Sequence, residues 1–158
     1  MGLEKILHTA LLQAQISLAV AESCTGGLFM ATLTKYSGST DYFLGGVVCY
    51  SNESKIRDLD VDKVIIGEYG AVSEACAQAM ALGIRKRFNS QYGLSITGIA
   101  GPTGGTSEKP VGKVYVGISK SGESLVQSYQ FSGNRNTIRK KATQEAAALL
   151  LKMIRDEN

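Results

Sequence analysis

Apolar residues recur at Leu3, Ile6, Leu7, Ala10, Leu11 and Ala14, the three-and-four spacing that places them on one face of a helix. From Ile16 to Ala21 the pattern changes to a short continuous apolar run, which predicts a buried strand. Helical character returns over Leu28 to Lys35, and a valine-rich run from Gly45 to Tyr50 predicts a second strand. A short helix is expected over Glu53 to Leu59. Ser73 is a good N-cap for the helix that follows, because its hydroxyl can accept from an unpaired backbone N–H while Glu74 suits the positive end of the dipole. That helix is expected to run to about Phe88.

Tyr92 to Thr97 predicts a third strand, and a glycine-rich loop extends from Gly98 to Gly112. Lys113 to Ser119 and Ser124 to Phe131 flank Ser121-Gly122 and predict a hairpin. The final segment places Ile138, Ala142, Ala146, Leu149, Leu150 and Met153 on one helical face. This order of elements predicts an α/β fold: a layered α/β/α domain with a mixed, mostly parallel sheet, parallel where helices intervene and antiparallel at the hairpin.

The 158 residues suit one domain spanning 1–158, and 44% hydrophobic content is enough to fill its core. A net charge of +3 accommodates an anionic small molecule but is far from the dense basic stripe of a duplex-binding protein. No apolar run is long enough to cross a bilayer, and the opening residues lack a secretory or transit composition. Cys24, Cys49 and Cys76 are an odd set without paired spacing, so reduced thiols in a cytoplasm are expected. The single histidine, His8, lies in the first helical pattern and is read as a surface or helix-face residue. No Cys/His or carboxylate cluster offers a metal a ligand set.

In such a sheet, ligands bind beyond the carboxyl ends of the strands. Glu22 to Gly27, Tyr50 to Lys55 and Thr97 to Gly105 all stand there and could converge on one crevice. Thr25-Gly26-Gly27 is either a tight turn or a place where a ligand approaches backbone N–H groups. No phosphate-loop or dinucleotide fingerprint is present. Arg135 and Arg139, four apart at the start of the last helix, share a face where cations oppose the dipole. A bound phosphate would relieve that conflict, whereas a solvated basic face continued by Lys140 and Lys141 is the alternative.

Ala21-Glu22-Ser23-Cys24-Thr25-Gly26-Gly27, Tyr50-Ser51-Asn52, Gly70-Ala71-Val72-Ser73-Glu74 and Gly98-Ile99-Ala100-Gly101-Pro102 together resemble the CinA C-terminal-domain family, including its stand-alone, PncC-like nicotinamide-nucleotide amidases. Glu108 to Gly112 and Phe131-Ser132-Gly133 extend the likeness over nearly the whole chain. The resemblance implies hydrolysis of nicotinamide mononucleotide to nicotinate mononucleotide and ammonia, without metal or cofactor, by a protein that forms a homo-oligomer such as a dimer. It implies catalytic roles for Ser23, Tyr50, Lys55 and Thr97, and phosphate contacts for Arg135 and, less directly, Arg139.

Chemically, Ser23 would be the nucleophile. Lys55 would accept its proton, directly or through Tyr50, and return it to the leaving nitrogen. Thr97 and amides near Gly26 or Gly98 are oxyanion donors on this reading. Glu22, Thr25 and Gly27 complete the expected binding surface, with Glu22 either orienting Lys55 or a substrate hydroxyl or neutralising the helix end. Cys24 is expected to be a structural neighbour rather than the nucleophile. A catalytically silent nucleotide-binding or protein-interaction module, and a hydrolase of another pyridine or ribosyl amide, are the competing functions.

Overall fold

The computed structural model describes residues 1–157. A five-stranded sheet in the order β2-β1-β3-β4-β5 is built from β1 (Leu18–Glu22), β2 (Phe43–Val48), β3 (Tyr92–Gly98), β4 (Lys113–Lys120) and β5 (Glu123–Gln130). β1 pairs in parallel with β2 and β3, while β4 runs antiparallel to both β3 and β5. Four strands therefore point one way and only β4 is reversed. The parallel half is where helical crossovers intervene, and the antiparallel half is the predicted hairpin, turning at Gly122 with φ +73°.

Period-two alternation sorts the sheet into two cores. Leu18 and Val20 of β1, Leu94 and Ile96 of β3, and Val114, Val116 and Ile118 of β4 face one helical layer. That layer holds α1 (Leu3–Ala14), α2 (Leu28–Leu33) and α6 (Arg135–Asp156). Ala19 and Ala21 point the other way, toward α3 (Asn52–Leu59), α4 (Lys63–Tyr69) and α5 (Glu74–Phe88). α5 lies very close to the sheet: a Cβ on Gly93 would stand 2.2 Å from the Ala81 carbonyl, and Ser95 Oγ donates to the Ala77 carbonyl at 2.6 Å. Bulkier residues at those sheet positions would lift the helix away.

Ser73 caps α5 as expected, its Oγ accepting from Cys76 N at 3.1 Å. β1 begins later than the apolar run suggests. Gln15 ends α1 in the left-handed region (φ 53°), and Ser17 is spent in a reciprocal pair of hydrogen bonds with Gln91. α4, capped by Asp62, is an element that the pattern of the sequence did not announce. His8 corrects its surface reading: it is buried, its Nδ1 is 3.0 Å from Tyr42 Oη, and Tyr42 donates to the Leu33 carbonyl. It faces inward because α1 is covered by Tyr36 and Tyr42 as well as by α6. Burial, aided by the Lys5 charge, lowers its pKa.

Candidate active site

Three strand ends deliver the functional groups. β1 ends at Glu22 and enters the turn Ser23 to Gly27, which requires Gly26 at φ +60° and Gly27 at φ +102°, a backbone that residues with a Cβ rarely adopt. β2 leads through Tyr50 to α3, whose N-cap Ser51 accepts from Ser54 N at 3.0 Å. α3 carries Lys55 one turn in and aims it back at the turn. β3 ends with Thr97 and Gly98.

Lys55 is 1% exposed, and its Nζ lies 3.1 Å from Ser23 Oγ, 2.9 Å from the Cys49 carbonyl and 3.3 Å from the Tyr50 carbonyl. Three acceptors match the three donors of an ammonium. A neutral amine held in this cage could give two N–H groups to the carbonyls and keep its lone pair for the Ser23 hydroxyl. Ser23 N donates to the Ile96 carbonyl at 2.9 Å, which fixes the residue against β3.

A cleft of about 260 Å³ opens above this pair. Ser23, Lys55, Tyr50, Thr97, Gly98 and Arg135 line it, together with the glycine loop from Ile99 to Gly104. Arg135 spans its mouth, donating to the Gly101 carbonyl at 2.8 Å and to Tyr50 Oη at 2.6 Å. Tyr50 is 58% exposed and touches Lys55 through its carbonyl, so Lys55 reaches Ser23 without a phenolic relay. Thr97 Oγ1 donates to the Ala71 carbonyl at 2.9 Å and ties the segment before α5 to the strand end.

Glu22, Thr25, Gly26, Gly27 and Arg139, expected to complete the binding surface, do not line this cleft. Glu22 is fully buried and caps α2, its carboxylate accepting from Gly27 N (3.0 Å), Phe29 N (3.2 Å) and Met30 N (2.7 Å). It neutralises the helix end and makes no bond to Lys55. Thr25 is buried, and its Oγ1 has no hydrogen-bond partner among the described residues. Arg139 donates to the Thr25 carbonyl at 2.9 Å, close above Gly26. Asn52, Ala71, Val72 and Thr103 also line the cleft, although none of them was expected to have a role there. For Asn52 the signal was its place between Tyr50 and Lys55, at the head of α3.

Cys24 also lines the cleft, but burial pushes its thiol up to about 12, the opposite of an activated nucleophile. Burial likewise raises Cys49 to about 11. Among the described residues no group of three histidine, cysteine or acidic side chains could hold a metal ion, and no helix is long and apolar enough to cross a membrane.

A mixed α/β domain with a buried lysine joined to a serine at its central strand ends is the class that fold and cleft define. The chain matches the family model of the CinA C-terminal domain over residues 1–154 and belongs to that family. It is 48% identical over 138 residues to a CinA-like protein of Dictyoglomus turgidum, covering 87% of the chain and 34% of that relative. A competence-damage inducible protein of Moorella thermoacetica is 47% identical over 153 residues, and the chain spans 37% of its length. The chain therefore spans about a third of these curated relatives. Among solved structures, the CinA superfamily protein KP700603 of Klebsiella pneumoniae superposes with a TM-score of 0.94 at 30% identity, covering 99% of both chains. The competence/damage inducible protein CihA of Agrobacterium tumefaciens gives 0.91 at 33%, covering 95% of this chain and 94% of that one.

Proposed function

We infer that this domain hydrolyses the carboxamide of nicotinamide mononucleotide, giving nicotinate mononucleotide and ammonia. The observation that carries the reading is the Lys55 Nζ to Ser23 Oγ contact of 3.1 Å at the floor of a cleft bridged by Arg135. Ser23 Oγ attacks the carboxamide carbon while its proton passes to the Lys55 lone pair. The tetrahedral adduct collapses, the C–N bond breaks, and Lys55 returns that proton to the departing nitrogen as ammonia. Water then adds to the Ser23 ester by the same proton route and releases the carboxylate.

The cleft, slightly below the roughly 300–1,000 Å³ of drug-sized sites, suits a pyridine ring and its amide with the ribose phosphate toward the mouth. There Arg135 keeps guanidinium N–H groups beyond its two present bonds for a phosphate. The exposed Tyr50 ring offers a π face to the cationic pyridinium. The test is incubation of purified protein with nicotinamide mononucleotide, with ammonia and nicotinate mononucleotide quantified together. Equimolar formation of the two is expected. Binding of the nucleotide with no turnover by folded protein across pH 6 to about 9 would reject the amidase and leave a binding module.

A further inference from the structure

The turn that carries Ser23 has a definite set of backbone hydrogen bonds, and accounting for its donors locates those left over. Ser23 N is taken by the Ile96 carbonyl, and Gly26 N by the Ser23 carbonyl at 3.0 Å. Gly27 N, Phe29 N and Met30 N are taken by Glu22, and Leu28 N by the Thr25 carbonyl at 3.1 Å. The Thr97 hydroxyl is spent on Ala71. Among the described residues, Thr25 N has no acceptor, and Cys24 N has none beyond its own thiol sulfur. These two amides directly follow the serine in the chain.

The Thr25 carbonyl has a second partner besides Leu28 N. Arg139, which enters from α6, donates to it at 2.9 Å, with its guanidinium 3.5 Å from where a Cβ on Gly26 would stand. Arg139 does not line the cleft, whereas Arg135, one helical turn earlier, does. The two arginines therefore have different tasks, although they share a helix face. We propose that Arg139 is a positioning residue that clamps the Ser23 to Gly27 turn to α6, holding the Cys24 and Thr25 amides where they receive the oxyanion formed on attack by Ser23. This rests on the amidase reading for its substrate, but not for its geometry.

The donors act on charge that develops only after attack, so losing their alignment lowers kcat and spares ground-state binding. A phosphate contact does the reverse: its loss raises KM and removes the preference for the mononucleotide over nicotinamide riboside. The experiment compares wild type, Arg139→Gln and Arg139→Lys in kcat and KM for both substrates. It adds the rate at which a fluorophosphonate probe phosphonylates Ser23, followed by mass spectrometry. The probe's phosphoryl oxygen needs the same amides but involves no amide substrate.

Arg139→Gln is expected to lower kcat and the phosphonylation rate together, by about 10- to 100-fold, with KM and the mononucleotide preference within about two-fold of wild type. Arg139→Lys, which keeps a charged donor with nearly the reach of the guanidinium, falls between and decides the matter if the glutamine variant does not fold. A raised KM with loss of the mononucleotide preference overturns the proposal, as do unchanged rates in a variant that melts like wild type. Wild type that is phosphonylated at Ser23 yet inert toward the mononucleotide would defeat the amidase reading alone, and the probe rates would still judge Arg139.

Discussion

Two side chains at the cleft floor, Ser23 and Cys24, are adjacent in sequence and both could attack an amide. Their surroundings separate them. Ser23 Oγ has the Lys55 amine at 3.1 Å, whereas Cys24 is 5% exposed and its thiol is pushed up to about 12 by burial. A raised pKa keeps an acid protonated, so at pH 8 the reactive thiolate is on the order of one molecule in ten thousand. Iodoacetamide at pH 8 should therefore leave Cys24 unmodified in folded protein, with labelling rising only as pH approaches 12. Peptide mass mapping checks this, and rapid stoichiometric labelling of Cys24 at pH 8 would reverse the choice of nucleophile. The neighbourhood of Ser23, Tyr50, Lys55 and Thr97 was legible from their positions after strands. Which atoms meet was not: Tyr50 meets Lys55 through its carbonyl, and Glu22 turns away to cap α2. Those outcomes depend on side-chain direction at the strand ends, which spacing along a chain does not encode.

At the scale of elements, the placement of Lys55 depends on how closely α3 approaches α5. Gly83 lies in the middle of α5, and a Cβ there would stand 2.0 Å from the Leu59 carbonyl at the end of α3. Gly83→Ala should therefore destabilise by about 1–3 kcal/mol through overpacking, and should lower kcat as α3 is displaced with its lysine. Gly67→Ala in α4 is the contrast, with nothing within 4 Å of the new Cβ. There the helix propensity of alanine should stabilise by about 0.5–1 kcal/mol. Chemical denaturation of both variants beside wild type measures the pair. Equal effects would mean that the α3–α5 contact is not the constraint described. Helices with strong apolar faces, such as α1 and α6, were readable from periodicity. α4 was not, because its seven residues leave no fully buried side chain to mark a face.

For the molecule as a whole, the sheet explains why one crevice collects three distant segments. β1, β2 and β3 run parallel and neighbour one another in the order β2-β1-β3, so their carboxyl ends, and the turns leaving them, lie side by side. The alternation of strands and helices predicted this, together with the antiparallel hairpin that widens the sheet on the side away from β2. The long loop after β3 was predicted to be irregular. Its closure over the cleft, fastened to α6 through Arg135 and to the end of α4 by Lys109 on the Tyr69 carbonyl, comes from contacts between residues 34 and 40 positions apart. If Ser23 and Lys55 act as one unit, ammonia release from nicotinamide mononucleotide in Ser23→Ala, Lys55→Met and the double variant, each checked for fold, shows it most plainly. Each single change should remove turnover by about 10³-fold or more, with the double variant no worse than either. A Lys55→Met enzyme that keeps wild-type turnover, or single losses that multiply in the double variant, would contradict a shared proton path.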